Sequence, residues 1–503
     1  MPTAKKGTKK AATKTSSTTN VTVSGAAQNT SAPPPAAAPG DWRVRIRMYR
    51  KWLGDCFLLT FRNSGKDLHV MIDCGALAGT PGAKAKVGEA VDNIVQDTGK
   101  QLAALVVAHE HWDHVSGFSD AADSFKGFSQ VGEVWAAWTE DPKQTIVKQN
   151  QKLRFQAVQS ALQNWSASES IDDQQRGEAV AELMAFVGPG GALGAAAQTT
   201  SQAMKTALSL GPTRYLTPGQ ILTDIPGVRV YVFGPPQNLA SLHKMMGTVG
   251  KDMYGISVTD AQMAIAQAFA AAAGTQAGTM DADRYVPFEP YLHWDEDAWT
   301  KSFPDPADAY KQDPVRKIDR DWLNTAAELA LQLDSYTNNT SLVLAFELAD
   351  TKDVLLFVGD AQVGNWQSWS TVKFGNPDPN ASGPSVPEVT VADLLARTIF
   401  YKVGHHGSHN ATLKTGGLEA MTSPRLVAAI PVDENFARTT KHWDMPAPPL
   451  YKALQEKTLG RILRSDSDFP TNSAKPAALS DGDWAEFQRN VNTQPHYVEF
   501  YVR

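Results

Sequence analysis

Apolar and polar positions alternate in short, strand-length blocks over the first third of the chain. Arg43 to Met48 alternates, Gly54 to Phe61 is an apolar run, and His69 to Ile72 is another that stops at Asp73-Cys74-Gly75. Ala83 to Gln96 has helical periodicity. Leu102 to Ala108 is wholly apolar and of strand length, and Val131 to Trp138 predicts a further strand. The texture then changes: residues 141–211 are rich in Ala and Gln with helical spacing, broken at Gly188-Pro189-Gly190-Gly191. Val228 to Phe233 returns to strand character and stops at Gly234-Pro235-Pro236. Residues 237–337 are again helical and irregular, with Ala261 to Ala273 and Trp322 to Leu333 as the clearest helices. Strands are predicted at Ser341 to Phe346, Val354 to Phe357 and Thr398 to Val403, followed by a strand-helix-strand close. No internal repeat of solenoid type is present. The pattern predicts one α/β core, residues 41–503, interrupted by two mainly helical insertions at about 141–211 and 237–337.

Composition changes the picture at one end. Residues 1–40 are Ala, Thr, Ser, Pro and Lys with few bulky apolar residues, so they cannot bury enough surface to offset their ordering entropy, and a disordered basic tail is expected. The whole chain carries a net charge of −6; without the five tail lysines, 42 basic residues stand against 53 acidic ones. That balance argues against a strongly basic nucleic-acid groove, although the tail lysines suit an anionic partner. No apolar run approaches the roughly 18 to 20 residues that span a bilayer, and the N-terminus lacks an apolar signal core, so a cytoplasmic protein without membrane partners is expected. Cys56 and Cys74 flank the turn-like Asn63-Ser64-Gly65-Lys66 at similar distances. A hairpin there sets them roughly opposite each other, where a cross-strand bond is the alternative to the two buried, reduced thiols expected.

Six of the eleven histidines fall in two clusters, His109/His111/His114 and His405/His406/His409, and each cluster directly follows an apolar strand-like run. There the chain leaves a sheet and side chains can converge. His109 and His111, two apart in an extended segment, can share one metal ion; Asp113 and His114, beyond the turn, can reach a second. Imidazole and carboxylate together make a mixed N/O set that suits Zn²⁺, Mn²⁺ or Fe²⁺ better than Mg²⁺ or Ca²⁺.

The order Met71-Ile72-Asp73-Cys74-Gly75, His109-Glu110-His111-Trp112-Asp113-His114, Val358-Gly359-Asp360 and Lys402-Val403-Gly404-His405-His406-Gly407-Ser408 resembles the metallo-β-lactamase superfamily. More narrowly, it is similar to the hydrolase domain of the ComEC-type DNA-uptake proteins. Gly54-Asp55, Asn339-Thr340-Ser341-Leu342-Val343-Leu344, and His442 with Pro446 are supporting matches, and the resemblance spans about residues 43–466 minus both insertions. It implies an αββα sandwich and two divalent ions, zinc first and manganese as the alternative. It also implies His109 and His111 on the first metal, Asp113 and His114 on the second, Asp360 bridging them, and His405 completing the second. Asp73 would orient ligands or the metal-bound hydroxide, His406 would touch substrate or support a ligand, and His406 or His442 would donate a proton to the leaving group. One departure stands out. The superfamily usually supplies a third histidine to the first metal, and the chain has Phe233-Gly234-Pro235-Pro236 near that place; His243 and His293, both in the second insertion, are the only histidines between positions 114 and 360.

Three functions stay open on the sequence. Hydrolysis of phosphodiesters, with nucleic acid as a candidate partner, follows from the ComEC-like motif set. Hydrolysis of a small lactone, lactam or thioester fits the acidic core and a lid built by the insertions. A binding or effector protein with a non-catalytic metal site fits the missing histidine. Trp135/Trp138 and Trp366/Trp369 are expected to pack a core rather than stack on bases.

Overall fold

The computed structural model describes residues 40–62, 66–145, 186, 195–244, 300–306, 334–375, 389–468 and 475–503. The basic tail, the turn at 63–65, most of both insertions, and His293 lie outside the described residues. The described residues belong to a single compact unit, 38–503.

Two mixed sheets form among the described residues. The first runs β14-β15-β1-β2-β3-β4-β5-β6 and the second β13-β12-β11-β10-β9-β8-β7. In the first sheet β1 (Val44–Tyr49), β2 (Cys56–Phe61) and β3 (Leu68–Cys74) are antiparallel. Next to them β4 (Gln101–Val107), β5 (Gln130–Ala137) and β6 (Thr213–Leu216) continue parallel to β3. In the second, β7 (Ile221–Leu222), β8 (Val228–Gly234), β9 (Val343–Leu348) and β10 (Val354–Phe357) are antiparallel. β11 (Thr398–Lys402), β12 (Val427–Ile430) and β13 (Ile462–Arg464) are parallel to β10. The chain closes on itself, since β15 (Tyr497–Val502) pairs with β1 on one side and β14 (Val491–Thr493) on the other.

The period-2 rule of a strand explains how the sheets stack. In β2, Phe57, Leu59 and Phe61 face the second sheet, while Cys56 and Leu58 face the helices. In β9, Leu344, Phe346 and Leu348 face the first sheet, while Val343 and Ala345 face outward into a second helical layer. Strands buried on both faces must be apolar throughout, which is why these segments read as continuous apolar runs. Outside the first sheet, α1 (Ala83–Asp97) buries Val87, Ala90, Val91 and Ile94 at i, i+3, i+4 and i+7, beside α2 (Trp112–Asp120) and α3 (Ala195–Leu208). Outside the second, α4 (Val363–Ser368), α5 (Val391–Ala396) and α6 (Pro448–Lys457) bring Trp366, Leu394, Leu395, Leu450 and Leu454 onto the sheet. The result is an α/β sandwich with helices on both outer faces. Removing a buried leucine such as Leu344 would cost about 2–5 kcal/mol.

The expected strands are present with ends shifted by up to two residues, and Thr213–Leu216 and Ile221–Leu222 are strands the pattern did not signal. Trp135, Trp366 and Trp369 are fully buried, as expected of core residues. Cys56 and Cys74 face each other in register as buried free thiols. Among the described residues no helix is long and apolar enough to cross a membrane.

Candidate metal centre

The carboxyl ends of β3, β4, β10 and β11 all open toward one end of the sandwich, and each delivers chemistry there. β3 ends at Asp73, β4 runs out into His109 and His111, β10 leads to Asp360, and β11 leads to His405 and His406. Ala108 fastens the two sheets at this point: its N–H donates to Asp73 Oδ1 at 2.7 Å, and its carbonyl accepts from Leu342 N at 2.9 Å. His111 then caps α2, with extended backbone before the first turn, and Asp113 sits where the helix dipole favours an anion.

Close backbone packing holds α2 in place. Asp55 N donates to Asp113 O at 3.0 Å and Gly75 N donates to Asp55 O at 2.9 Å. Gly75 has no room for a side chain, since a Cβ there would lie 2.4 Å from the Asp113 carbonyl carbon. Three site residues take up left-handed backbone: Asp73 (φ 54°), His405 (φ 44°) and His406 (φ 53°). Such conformations cost on the order of 1–3 kcal/mol each and persist where surrounding structure fixes them, as it does here.

Asp55, His114, Asp360 and His406 each offer a donor atom, all four within 4.8 Å of one another, and this buried group could hold a metal ion. His114 Nε2 lies 3.1 Å from Asp360 Oδ2 and 3.7 Å from Asp113 Oδ2, and its Nδ1 lies 2.8 Å from Asp73 Oδ2. Asp73 therefore orients the His114 ring. His406 presents Nδ1 to the Pro431 carbonyl at 2.7 Å and Nε2 to Asp113 Oδ2 at 2.7 Å. Lys402 stands among the acids: its ammonium pairs with Asp55, and donates to Asp360 Oδ1 at 3.1 Å and to the Gly359 carbonyl at 2.7 Å. Asp360 Oδ1 also accepts the His405 N–H at 2.9 Å.

A second group lies beside the first. The His109 ring is 4.7 Å from that of His111 and 4.2 Å from that of His114. His111 Nε2 is 3.9 Å from Asp334 Oδ1, and His405 Nδ1 meets the Gln362 amide at 3.2 Å. Phe186, a residue of the first insertion, packs over the rings of His111, His405 and His406 and stacks on Trp443 at 4.9 Å.

The electrostatics separate these groups. Burial pushes His114 down, but Asp360, Asp55, Asp113 and Asp73 outweigh it and hold the imidazole well above its usual value. For His406 burial is likewise outweighed by Asp360 and Asp113, with a net rise. Burial raises Asp55 to about 6 against the pull of Lys402 and His114, whereas Asp360 ends well below the usual carboxylate range because His114 and Lys402 overcome burial. On the other side burial dominates. It takes His109 well below its usual value, helped by His114 and His111, and brings His111 to about 4 and His405 to about 3. These three are neutral imidazoles at neutral pH, the form that ligates metal. Burial, then Asp113 and Asp360, push Asp334 well above the carboxylate range.

The donor set fits divalent metal. Both nitrogens of His109, His111 Nδ1, His114 Nε2, His405 Nε2, Asp55 Oδ1, Asp113 Oδ1, Asp334 Oδ1 and Asp360 Oδ2 are buried without a hydrogen-bond partner. A buried polar group without a partner costs about 1–3 kcal/mol, so nine such atoms on neighbouring residues call for ligands from outside the chain. Four carboxylates, Asp55, Asp73, Asp113 and Asp360, face one ammonium, Lys402, and the excess negative charge favours cations.

The structure thus brings His109, His111, Asp113, His114, Asp360, His405, His406 and Asp73 together. His442 and His409 are exposed, and His442 does not join the buried group. The resemblance implies His405 as a ligand beside His114, whereas the four-residue group contains His406. Sequence reasoning gave no role to Asp55, Lys402, Gln362, Phe186 or Asp334. Asp55 and Lys402 lie inside quoted motifs and were within reach; Phe186 and Asp334 lie in the insertions, where no local pattern marks them. His243 stacks on Tyr336 at 4.8 Å. Compared by sequence with known proteins, the chain matches no family model and no curated relative.

Proposed function

We propose that this protein is a metal-dependent hydrolase of the metallo-β-lactamase type, related most nearly to the ComEC-type domains, acting on phosphodiesters with two divalent ions, zinc first and manganese as the alternative. The observation that carries this reading is the set of unpartnered buried nitrogens and carboxylate oxygens of His109, His111, Asp113, His114, Asp360 and His405 at the strand ends. A bound metal pair lowers the pKa of water and offsets charge on attacking and leaving oxygens. The chain's own residues do the rest. Asp73 fixes the His114 ring and Gln362 the His405 ring, each through Nδ1, so the Nε2 of each is aimed before anything binds, while the Pro431 carbonyl and Asp113 engage both nitrogens of His406. Lys402 relieves the repulsion between Asp55 and Asp360 and keeps both carboxylates in place. His406, between Asp113 and the Pro431 carbonyl, can hold a proton for the leaving oxygen.

Metal-loaded protein is expected to cleave a bis-nitrophenyl phosphate ester and at least one of single-stranded DNA, double-stranded DNA or RNA, and an Asp360→Ala variant is expected not to. No cleavage of any of the four by the parent protein would overturn the phosphodiester reading. A second reading, hydrolysis of a small lactone, lactam or thioester, is favoured by one observation: Phe186, itself stacked on Trp443, packs over His111, His405 and His406, a cover better suited to a compact substrate than to a polymer. A panel of lactones, β-lactams and thioesters beside the phosphodiesters separates the two.

A further inference from the structure

We infer that Asp334 is the third protein ligand on the His109/His111 side of the centre, standing where the resemblance implies a histidine. The inference rests on the metal-centre reading and adds to it a ligand from the second insertion.

The end of β8 cannot supply that ligand. A Cβ at Gly234 would lie 2.1 Å from Asn365 Oδ1. Asn365 cannot simply move aside: its amide donates to the carbonyls of Asn339 at 3.0 Å and Ser341 at 2.9 Å, and its oxygen accepts from Trp369 Nε1 at 2.9 Å. The position is filled by a satisfied buried amide, so histidine at 234 would have to displace it. The family's usual donor is excluded here by packing as well as by sequence.

Asp334 arrives from another direction. Residues 334–339 are helical, and the turn is tied down at its far end: Asn339 Nδ2 donates to the carbonyls of Leu242 at 3.2 Å and Lys244 at 2.8 Å, and Asn339 Oδ1 accepts from Asn365 N at 3.0 Å. Asn338 Nδ2 donates to Asp334 Oδ2 at 3.0 Å and sets the plane of the carboxylate. The other oxygen, Oδ1, is buried, has no hydrogen-bond partner, and lies 3.9 Å from His111 Nε2. The nitrogen of His111 left without a partner is Nδ1, so the His111 ring and the Asp334 carboxylate must both turn for one ion to take Nδ1 and Oδ1 at the ~2.0–2.2 Å of zinc ligands. Among the described residues no lysine or arginine pairs with Asp334; Asp113 and Asp360 lie close enough to repel it, and the Gln362 side chain is the neighbour that favours its charge. A carboxylate held so rigidly in acidic company suits a cation. The Asn365 amide that closes off position 234 also helps to anchor the turn that carries Asp334, so one residue accounts for both the lost ligand and its replacement.

The test is zinc content per chain, with competition by a graded chelator, for the full-length parent and for Asp334→Ala, Asp334→Asn and Asp334→His; urea midpoints confirm that each is folded. The parent is expected to hold two zinc ions. Asp334→Ala and the isosteric Asp334→Asn are expected to hold one, with affinity for the other reduced by more than the roughly 10–100-fold that loss of an outer supporting partner costs. Asp334→His, which offers an imidazole in place of the carboxylate, is expected to return toward two. If Asp334→Ala and Asp334→Asn both keep two ions with parental chelator competition, the assignment of Asp334 is overturned while the metal centre stands. A parent that binds no zinc or manganese overturns the metal centre itself, a distinguishable result.

Discussion

Two of the buried polar clusters among the described residues are built on opposite principles. Around Glu347, on β9, every donor and acceptor is matched: Arg229 and Tyr231 each reach Oε2 at 3.1 Å, and Arg397 reaches Oε1 at 2.8 Å. Around His109 to His114 the reverse holds, with nitrogens and oxygens buried and unmatched across several strand ends. Both clusters cost desolvation. The first recovers it within the protein and acts as structure; the second is left with capacity for a ligand.

The largest effect that would break this contrast is chemical. Asp360→Ala is expected to lower hydrolysis on the order of 1,000-fold, the scale seen when one preorganised group at the reacting centre is lost, while circular dichroism shows the fold intact. Activity within tenfold of the parent would mean that the unmatched cluster is not the reacting centre. Next comes the close approach that seats α2 against the end of β3. Gly75→Ala forces a methyl against the Asp113 backbone and should cost about 1–3 kcal/mol in urea denaturation, with weakened zinc binding because α2 shifts. A variant with parental stability and zinc affinity would show that this close approach does not set the site.

Glu347→Ala should give the mirror image of Asp360→Ala. Leaving Arg229 and Arg397 without their acceptor is expected to cost about 2 kcal/mol, moderated because both arginines are partly exposed, with zinc content per folded chain unchanged. Loss of zinc in this variant would merge the two clusters into one. The smallest effect is a pH dependence. Burial opposes ionisation of Glu347, but hydrogen bonds from Arg229 and Arg397 prevail, so its folded value lies below the ordinary one. Its contribution is therefore fully present above the unfolded carboxyl value of about 4.3 and is lost as pH falls through the folded value. Glu347→Gln should flatten the acid side of the stability profile below about pH 4.3; an unchanged slope would contradict the sign assigned to this group.

The same contrast explains what could be read from the sequence. The two histidine clusters were legible because side chains that converge from one strand end must sit within a few residues of each other, and apolar runs fully buried on both faces announce their strands. Asp73, Asp113 and Asp360 followed from motif order. Asp334 and Phe186 were not legible, because their place in the site depends on how an insertion folds back, and no local periodicity records a contact across more than 200 residues. Which of His405 and His406 lies with Asp55, His114 and Asp360 was hidden too, because both positions take left-handed backbone that the adjacent glycines hint at but do not assign. Pairing of the last strand with the first is likewise invisible to local pattern.

The central claim is that the unmatched cluster is a metal centre, and metal content tests it most directly. Protein purified without chelator, measured by elemental analysis beside Asp360→Ala, is expected to carry close to two equivalents of zinc or manganese per chain in the parent and markedly less in the variant. A folded parent with a metal content near zero, unchanged after incubation with either ion, would contradict it.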